Sequence, residues 1–170
     1  MMEGLASGEV RAFWIFGENL ANSEPNISHV ERCLSSAEFL VCNDIFPTET
    51  TRFAHVIFPA AAWSEDDGTF TSSERRVNRV RKVSQAPGDA KPNWWIFKQI
   101  AKRFGHDWAS NSAQELWDSE ISVLAPSMAG IKYRRLEGDG LQWPCSNEEH
   151  PGTPLLHRDG KFTNGRGVFT

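Results

Sequence analysis

The chain has 170 residues and a formal net charge of -4, which gives no electrostatic reason to expect a nucleic-acid partner. Its length suits a domain with its own core, no apolar run approaches the roughly 20 residues of a membrane span, and residues 1–4 begin no secretory signal. Three cysteines without C-x-x-C spacing predict reduced thiols in the cytoplasm and no iron–sulfur or zinc site formed by this chain alone: Cys33, Cys42 and Cys145.

The first part of the chain alternates strand-like and helix-like segments. Asn22 to Pro25 offer the capping and first-turn residues of a helix, which apolar residues at helical spacing carry to Ser36. This alternation predicts parallel strands with right-handed crossovers. Three short apolar runs have the character of buried parallel strands: residues 10–16, 39–42 and 56–58.

Polar or small residues follow two of these predicted strands. Asn43 and Asp44 come directly after the second strand, and Ala60 comes just after the third. In an open parallel sheet, ligands bind beyond the carboxyl ends of the strands. The sequence therefore predicts a ligand site at this edge.

The character of the chain changes after Trp63. Residues 64–71 indicate an acidic turn followed by an extended piece. Residues 76–83 place valines three apart among basic residues, which predicts an extended, largely exposed segment and no regular strand. A helix capped by Asn93 and closed by Gly105 comes next.

A second helix is predicted from Ser112, with Glu115 completing a capping box and Pro126 ending the helix. From Met128 onward the chain is rich in Gly and Pro, which predicts an irregular tail that buries little by itself. The predicted inner face of the second helix comprises Leu116, Trp117, Ile121 and Leu124.

Five motifs in order resemble the molybdopterin oxidoreductases, in particular the formate dehydrogenase alpha subunits. The resemblance extends over residues 8–170 and implies an α/β fold, with an open, mostly parallel, Rossmann-like sheet flanked by helices. Residues 8–125 would form part of the dinucleotide-binding domain, and residues 126–170 an extended tail leading toward a C-terminal barrel. The motifs are FGEN at 16–19, NDIFPTET at 43–50, FPAAAW at 58–63, ExxGTFT with ERR at 65–76, and LQWPC with PGT at 141–153.

Proteins of this family are several times longer and hold molybdenum or tungsten between two molybdopterin guanine dinucleotides. Their iron–sulfur cysteines, and their catalytic selenocysteine or cysteine followed by His, lie upstream of the matched region. No cysteine here precedes a His, so the resemblance implies a fragment without a catalytic residue or metal ligand of its own. Such a fragment would help to bind one guanine dinucleotide of a centre that oxidises formate to carbon dioxide. The implied partners are the remaining domains of the catalytic subunit or electron-transfer subunits.

The dinucleotide contacts of the family fall on six residues of this sequence. Asn19 and Ser23 lie before the predicted first helix, where free N–H groups and the positive helix end favour a diphosphate. Asp44 lies at a strand tip, where an acidic residue accepts hydrogen bonds from ribose hydroxyls, and Asn43 can donate and accept beside it. The six are Asn19, Ser23, Asn43, Asp44, Ala60 and Asn93.

Two of these positions depart from a common pattern of the family. Ala60 stands where some members have Ser, so a hydroxyl contact is missing. Asn93 stands where Asp is usual, and a carboxylate can accept from both the ring N–H and the amino group of guanine. An amide offers one acceptor oxygen, and a hydrogen bond to a charged group is worth roughly 1.5–3 kcal/mol, so we expect weaker selectivity for guanine.

Ordinary structural roles remain open for the same residues. Asp44 would also suit a turn at a strand end, and Asn93 would also suit a helix cap. Residues 65–67 lack the spaced oxygen ligands of a calcium loop, which favours a solvated turn. The basic residues between 75 and 82 would suit a polyanion-binding surface, or would face the cofactor phosphates or the formate path.

Two other functions compete with the enzyme fragment. One is a free-standing nucleotide-binding or accessory module without catalysis. The other is a structural piece held in a larger assembly by faces rich in tryptophan, of which the chain has seven. Apolar surface left uncovered predicts self-association.

Overall fold

The computed structural model describes residues 1–160, 162, 165 and 167. Within that part the chain divides into two compact units, one formed by residues 1–66 and 82–108 and the other by residues 67–81 and 109–170. The boundaries of these compact units differ from the domain boundary predicted between residues 125 and 126. That domain boundary stays a prediction. Residues 161, 163, 164, 166 and 168–170 of the predicted tail lie outside the described residues.

The first unit contains a three-stranded parallel sheet in the order β1-β2-β3. Pairing begins with Ala12 opposite Phe39 and ends with Asp44 opposite Pro59. The predicted parallel α/β fold is therefore confirmed, although the second and third strands extend further than expected. The strands are β1 (Ala12–Phe16), β2 (Phe39–Asp44) and β3 (Val56–Pro59).

Helices cover both faces of this sheet. On one face, Leu40 and Cys42 pack with apolar residues of three helices into a buried core. On the other face, the Phe97 ring lies 5.0 Å from that of Trp14 and 5.5 Å from that of Phe16. The first face carries α1 (Met2–Ala6), α2 (Leu20–Ser23) and α3 (Ile27–Ser35), and the second carries α4 (Asn93–Arg103).

The predicted helix start at Asn22–Pro25 is wrong. Residues up to Ser23 belong to the four-residue helix α2, and the next helix begins after Asn26. Asn26 caps α3, because its side-chain Oδ1 accepts a hydrogen bond from the His29 backbone N–H at 3.1 Å. Asn26 is as good a capping residue as Ser23, so composition alone did not separate the two.

The predicted cap at Asn93 is also wrong. Pro92 is the residue that precedes the first turn of α4, and Asn93 is the first helical residue. Its side chain forms no cap and lies against Asn43. Gly105 follows the end of this helix with a φ of 86°, as expected for a glycine that closes a helix.

The second unit contains an antiparallel sheet, which the sequence did not predict. It is formed by β4 (Gly68–Thr71), β5 (Arg76–Val80) and β6 (Leu141–Gln142). The prediction of an exposed irregular segment at 76–83 is therefore wrong for its first five residues. Val77 is fully buried, because it packs with Ile131, Leu136 and Cys145, while β4 and β6 pair with the two edges of β5.

The predicted helix at Ser112 is confirmed as α5 (Ala113–Leu124). The Ser112 hydroxyl accepts from the Glu115 N–H at 3.1 Å, while the Glu115 carboxylate accepts from the N–H of Asn111 at 2.7 Å, so the box is shifted by one residue. Ile121 is buried as expected, but Leu124 is 78% exposed, since it lies in the last turn.

The tail buries more than its composition suggests. Ile131, Leu136 and Cys145 form a core with Val77 of β5, and each is at most 1% exposed. The expectation that the tail buries little was therefore wrong, because short turns and the β6 pairing bring scattered apolar residues to one place. No helix among the described residues has the length and apolar character needed to cross a membrane.

Candidate ligand site at the carboxyl edge of the parallel sheet

Four of the six predicted contact residues meet at the carboxyl ends of β2 and β3. Asn43 and Asp44 are the last two residues of β2, and the Ala60 N–H donates to the Asp44 carbonyl at 3.0 Å. The segment before α4 continues this edge, since the Lys91 N–H donates to Pro59 and the Ala61 N–H donates to Lys91. These backbone bonds bring Asn93 to the same edge.

Asn43 is buried, with an exposure of 1%, and its side chain has two partners. Its Oδ1 accepts from the indole Nε1 of Trp14 at 2.8 Å, and its Nδ2 donates to Oδ1 of Asn93 at 3.2 Å. A buried amide is stable only when it is hydrogen-bonded. The residue therefore ties β1, β2 and the first turn of α4 together, and it is too deep to offer much surface to a ligand.

Asp44 is half-buried, and alternation along the strand directs its side chain to the face opposite that of Asn43. Its Oδ1 accepts from the N–H of Ile45 at 2.7 Å. Its Oδ2 has no hydrogen-bond partner among the described residues. A carboxylate oxygen of this kind, at the tip of a parallel strand, suits a ribose hydroxyl donor.

Ala60 and Asn93 differ in what they offer. Ala60 is 6% exposed and contributes a small apolar surface with no side-chain donor or acceptor. Asn93 is half-buried, its oxygen is held by Asn43, and its Nδ2 has no partner among the residues that the structure describes. The edge therefore provides one acceptor at Asp44, one donor at Asn93 and a small apolar residue at Ala60.

Asn19 and Ser23 are engaged elsewhere. The Asn19 side chain accepts from the Thr50 hydroxyl at 2.8 Å and donates to the Glu49 carboxylate at 2.8 Å. The Ser23 hydroxyl donates to Glu18 at 2.5 Å. The Asn19 hydrogen bond holds the pKa of the Glu49 carboxyl below its usual value, so that carboxyl is an anion at neutral pH.

These observations separate two halves of a dinucleotide. The ribose-and-base half fits the acceptor of Asp44 and the donor of Asn93. The diphosphate half finds two carboxylates, Glu18 and Glu49, beside the predicted contacts, and α2 is too short for a strong helix dipole. Asp44 and Asn93 are therefore the residues whose free groups suit a nucleotide, and the binding roles of all six residues stay predictions.

The arginines near β5 all have partners within their own unit. Arg79 and Arg81 both form ion pairs with Glu137, and Arg76 pairs with Glu74 at 3.0 Å. Arg75 donates to the backbone carbonyls of Trp143 and Thr153. The four guanidinium groups are thus engaged inside the unit, three by carboxylates and one by backbone carbonyls, and a polyanion-binding role for them stays a prediction.

Sequence reasoning missed Trp14 and Thr50 as residues that shape the edge. Trp14 orients Asn43, and the fully buried Thr50 hydroxyl accepts from the N–H of Ala21 at 2.9 Å while donating to Asn19. Both contacts link residues about 30 positions apart, so no local pattern announces them. For Trp14 the sequence offers one signal, the alternation of side chains along its strand, which can place it on the same face of the sheet as Asn43.

Comparison with known proteins places these features in a family. The family model described as molybdopterin oxidoreductase matches residues 1–103. The alpha subunit of F420-dependent formate dehydrogenase 2 of Methanococcus maripaludis is 48% identical over 169 residues, which is 97% of this chain and 25% of the relative. The alpha subunit of F420-dependent formate dehydrogenase of Methanocaldococcus jannaschii is 45% identical over 161 residues, which is 93% of this chain and 24% of the relative.

The fold itself also has a counterpart among solved structures. Acetylene hydratase from Pelobacter acetylenicus superimposes with a TM-score of 0.62 at 20% identity, covering 78% of this chain and 19% of that one. At this identity the likeness concerns the fold alone. The chain spans about a quarter of the length of the curated relatives that it matches.

Proposed function

The chain belongs to the molybdopterin oxidoreductase family, and we propose on this premise that it is a dinucleotide-binding segment of a formate dehydrogenase alpha subunit. The observation that carries the proposal is the 48% identity to such a subunit over nearly the whole of this chain. A free-standing nucleotide-binding module is not favoured, since the match continues through both compact units.

Membership of the family implies a molybdopterin cofactor in the complete protein. We propose the guanine dinucleotide form, carrying molybdenum or tungsten. When bound, this group supplies the two-electron oxidation of formate to carbon dioxide and a proton. The residues of this chain supply binding and orientation instead of the chemistry itself.

Three residues carry the proposed binding role. Asp44 accepts hydrogen bonds from the ribose hydroxyls through Oδ2, the oxygen that no described residue contacts. Asn93 contacts the base from the first turn of α4, and Asn43 holds Asn93 in place from beneath. Ala60 leaves room between them because it has no side chain beyond Cβ.

The proposed setting is a cytoplasmic enzyme of several subunits. The relatives are named as alpha subunits, and we propose that this segment likewise works beside the other domains of its subunit and beside electron-transfer subunits with iron–sulfur clusters. All three cysteines are free and buried, as suits a reducing compartment.

The first test is a calorimetric titration of the purified 170-residue chain with GDP. We expect saturable binding that Asp44→Ala weakens by about tenfold, since a hydrogen bond to a charged group is lost. Asp107→Ala is the matched control, because Asp107 is an exposed carboxylate after the end of α4, 3.8 Å from Lys102. Absence of GDP binding by a folded chain, or equal binding by Asp44→Ala, would contradict the proposed role of this edge.

A further inference from the structure

Building on the proposed dinucleotide site, we infer that Asn93 turns its amide nitrogen, a donor, toward the base and its oxygen away from it. The site would then recognise a carbonyl acceptor, such as O6 of guanine, and would ignore the ring N–H and amino group of guanine. The inference rests on a chain of hydrogen bonds that runs from Trp14 through Asn43 to Asn93.

The chain begins at Trp14. An indole N–H can only donate, so the atom that it meets at 2.8 Å must be the side-chain oxygen of Asn43. The indole is itself held by neighbouring rings, with centroids 5.0 Å away at Phe97 and 6.4 Å away at Phe58. The orientation of the Asn43 amide is therefore fixed by chemistry.

The next link is the buried amide of Asn43. With its oxygen facing Trp14, its Nδ2 is left to face Asn93 at 3.2 Å. An amide nitrogen can only donate, so Asn93 must turn its oxygen inward to accept. Asn43 is 1% exposed, and a reversed amide would set its Nδ2 against the indole N–H of Trp14, two donors facing each other.

The last link is what Asn93 keeps for a ligand. Its oxygen is turned inward to Asn43, and its Nδ2 has no partner among the described residues, so the group that it turns outward is a donor. Guanine has acceptors at O6 and N7, whereas its N1–H and amino group are donors. A carboxylate at this position would present an acceptor instead of a donor, because one oxygen would accept from Asn43 and the other would face the base.

Calorimetric titrations of the full chain with three purine nucleotides distinguish a donor at position 93 from an acceptor. IDP lacks the amino group of GDP but keeps O6, and 2-aminoadenosine diphosphate keeps the amino group but carries a donor at position 6. We expect GDP and IDP to bind within about twofold of each other, and the 6-amino nucleotide to bind about tenfold more weakly, since two donors would then meet.

Two substitutions should create a preference for GDP over IDP that the wild-type chain lacks. Asn93→Asp supplies the missing acceptor, so GDP should bind about tenfold more tightly than IDP. Asn43→Asp leaves residue 93 unchanged. The new carboxylate accepts from the Trp14 indole and from the amide nitrogen of Asn93, so the Asn93 oxygen turns toward the ligand and GDP should again bind more tightly than IDP. If Asn43→Asp does not fold, because a charge is buried, Asn93→Asp still decides the question.

Asn26→Asp is the matched control. It makes the same change of an amide to a carboxylate in the same unit, at an exposed cap where Asp serves equally well, so the ratio of GDP to IDP affinity should not move. A wild-type chain that binds GDP about tenfold more tightly than IDP would overturn the inference while leaving the dinucleotide site intact. A folded chain that binds none of the three nucleotides would overturn the proposed function, and the inference with it.

Discussion

The two neighbouring residues at the end of β2, Asn43 and Asp44, differ in burial and in hydrogen bonding. Asn43 is buried and bonded to Trp14 and Asn93, while one carboxylate oxygen of Asp44 has no hydrogen-bond partner among the described residues. Alternation along a strand explains the difference, since successive side chains point to opposite faces. A change at Asn43 should therefore affect both stability and ligand preference, whereas a change at Asp44 should affect mainly ligand binding.

Cys42, just before them, gives a prediction about pH. Burial raises the pKa of its thiol to about 11, and the charge of Asp44 adds to this effect. In the unfolded chain the thiol loses its proton near pH 9, so between pH 9 and 11 the folded state binds more protons. The free energy of unfolding should consequently fall as the pH rises through this range.

Denaturant unfolding at pH 8.5 and pH 10.5 measures this loss. Cys42→Ala removes the titrating group and should lose less stability between the two values than the wild type. Val30→Ala is the control, because it shortens a buried side chain of the same core without removing a titrating group, so its loss between the two pH values should match that of the wild type. Identical losses in the wild type and Cys42→Ala would show that the Cys42 thiol does not contribute.

At the scale of elements, β5 shows how pairing replaces local pattern. Val77 lies in a core with Ile131 and Leu136, although valines spaced three apart do not give a strand one apolar face. The strands β4 and β6 hold β5 in an extended conformation by pairing with its two edges, and the tail residues Ile131, Leu136 and Cys145 cover the Val77 side chain.

Val77→Ala tests this arrangement. Removal of two buried methyl groups should lower the free energy of unfolding by about 2 kcal/mol, from lost burial and a residual cavity. Val83→Ala is the control, since Val83 is 82% exposed and should change stability by less than about 0.5 kcal/mol. Urea denaturation followed by tryptophan fluorescence compares the two, and equal losses would contradict the assignment of β5.

At the scale of the whole molecule, the chain leaves large apolar side chains in solvent. Phe46 is 68% exposed and Trp63 is 77% exposed, and both follow shortly after the strand ends that form the candidate site. Uncovered apolar residues of this size are typical of surfaces that bind other protein. The relatives are about four times as long as this chain, so such a surface has further protein to meet in them.

We therefore expect the isolated chain to self-associate. Sedimentation velocity between about 2 and 200 µM should show mass rising with concentration, and Phe46→Ser with Trp63→Ser should reduce it because apolar area is removed. Val123→Ser is the control for an exposed apolar residue far along the chain, at 72% exposure on α5. A single monomeric species across the whole range would contradict the prediction.

The sequence by itself determined the parallel α/β unit and its candidate edge. Short apolar runs that stop at Asn43, Asp44 and Pro59 give both the strands and the place where a ligand would bind, because those signals are local. The helix at Ser112 is of the same kind, since a cap and a following Glu act within one turn.

Only the tertiary structure decided which side chains at the edge are hydrogen-bonded to one another and how the rest of the chain is packed. The path from Trp14 through Asn43 to Asn93 joins residues 29 and 50 positions apart, and β5 pairs with a strand more than 60 residues later. No periodicity carries such information, because these contacts depend on which distant segments meet. The orientation of the Asn93 amide on α4 thus depends on a tryptophan of β1.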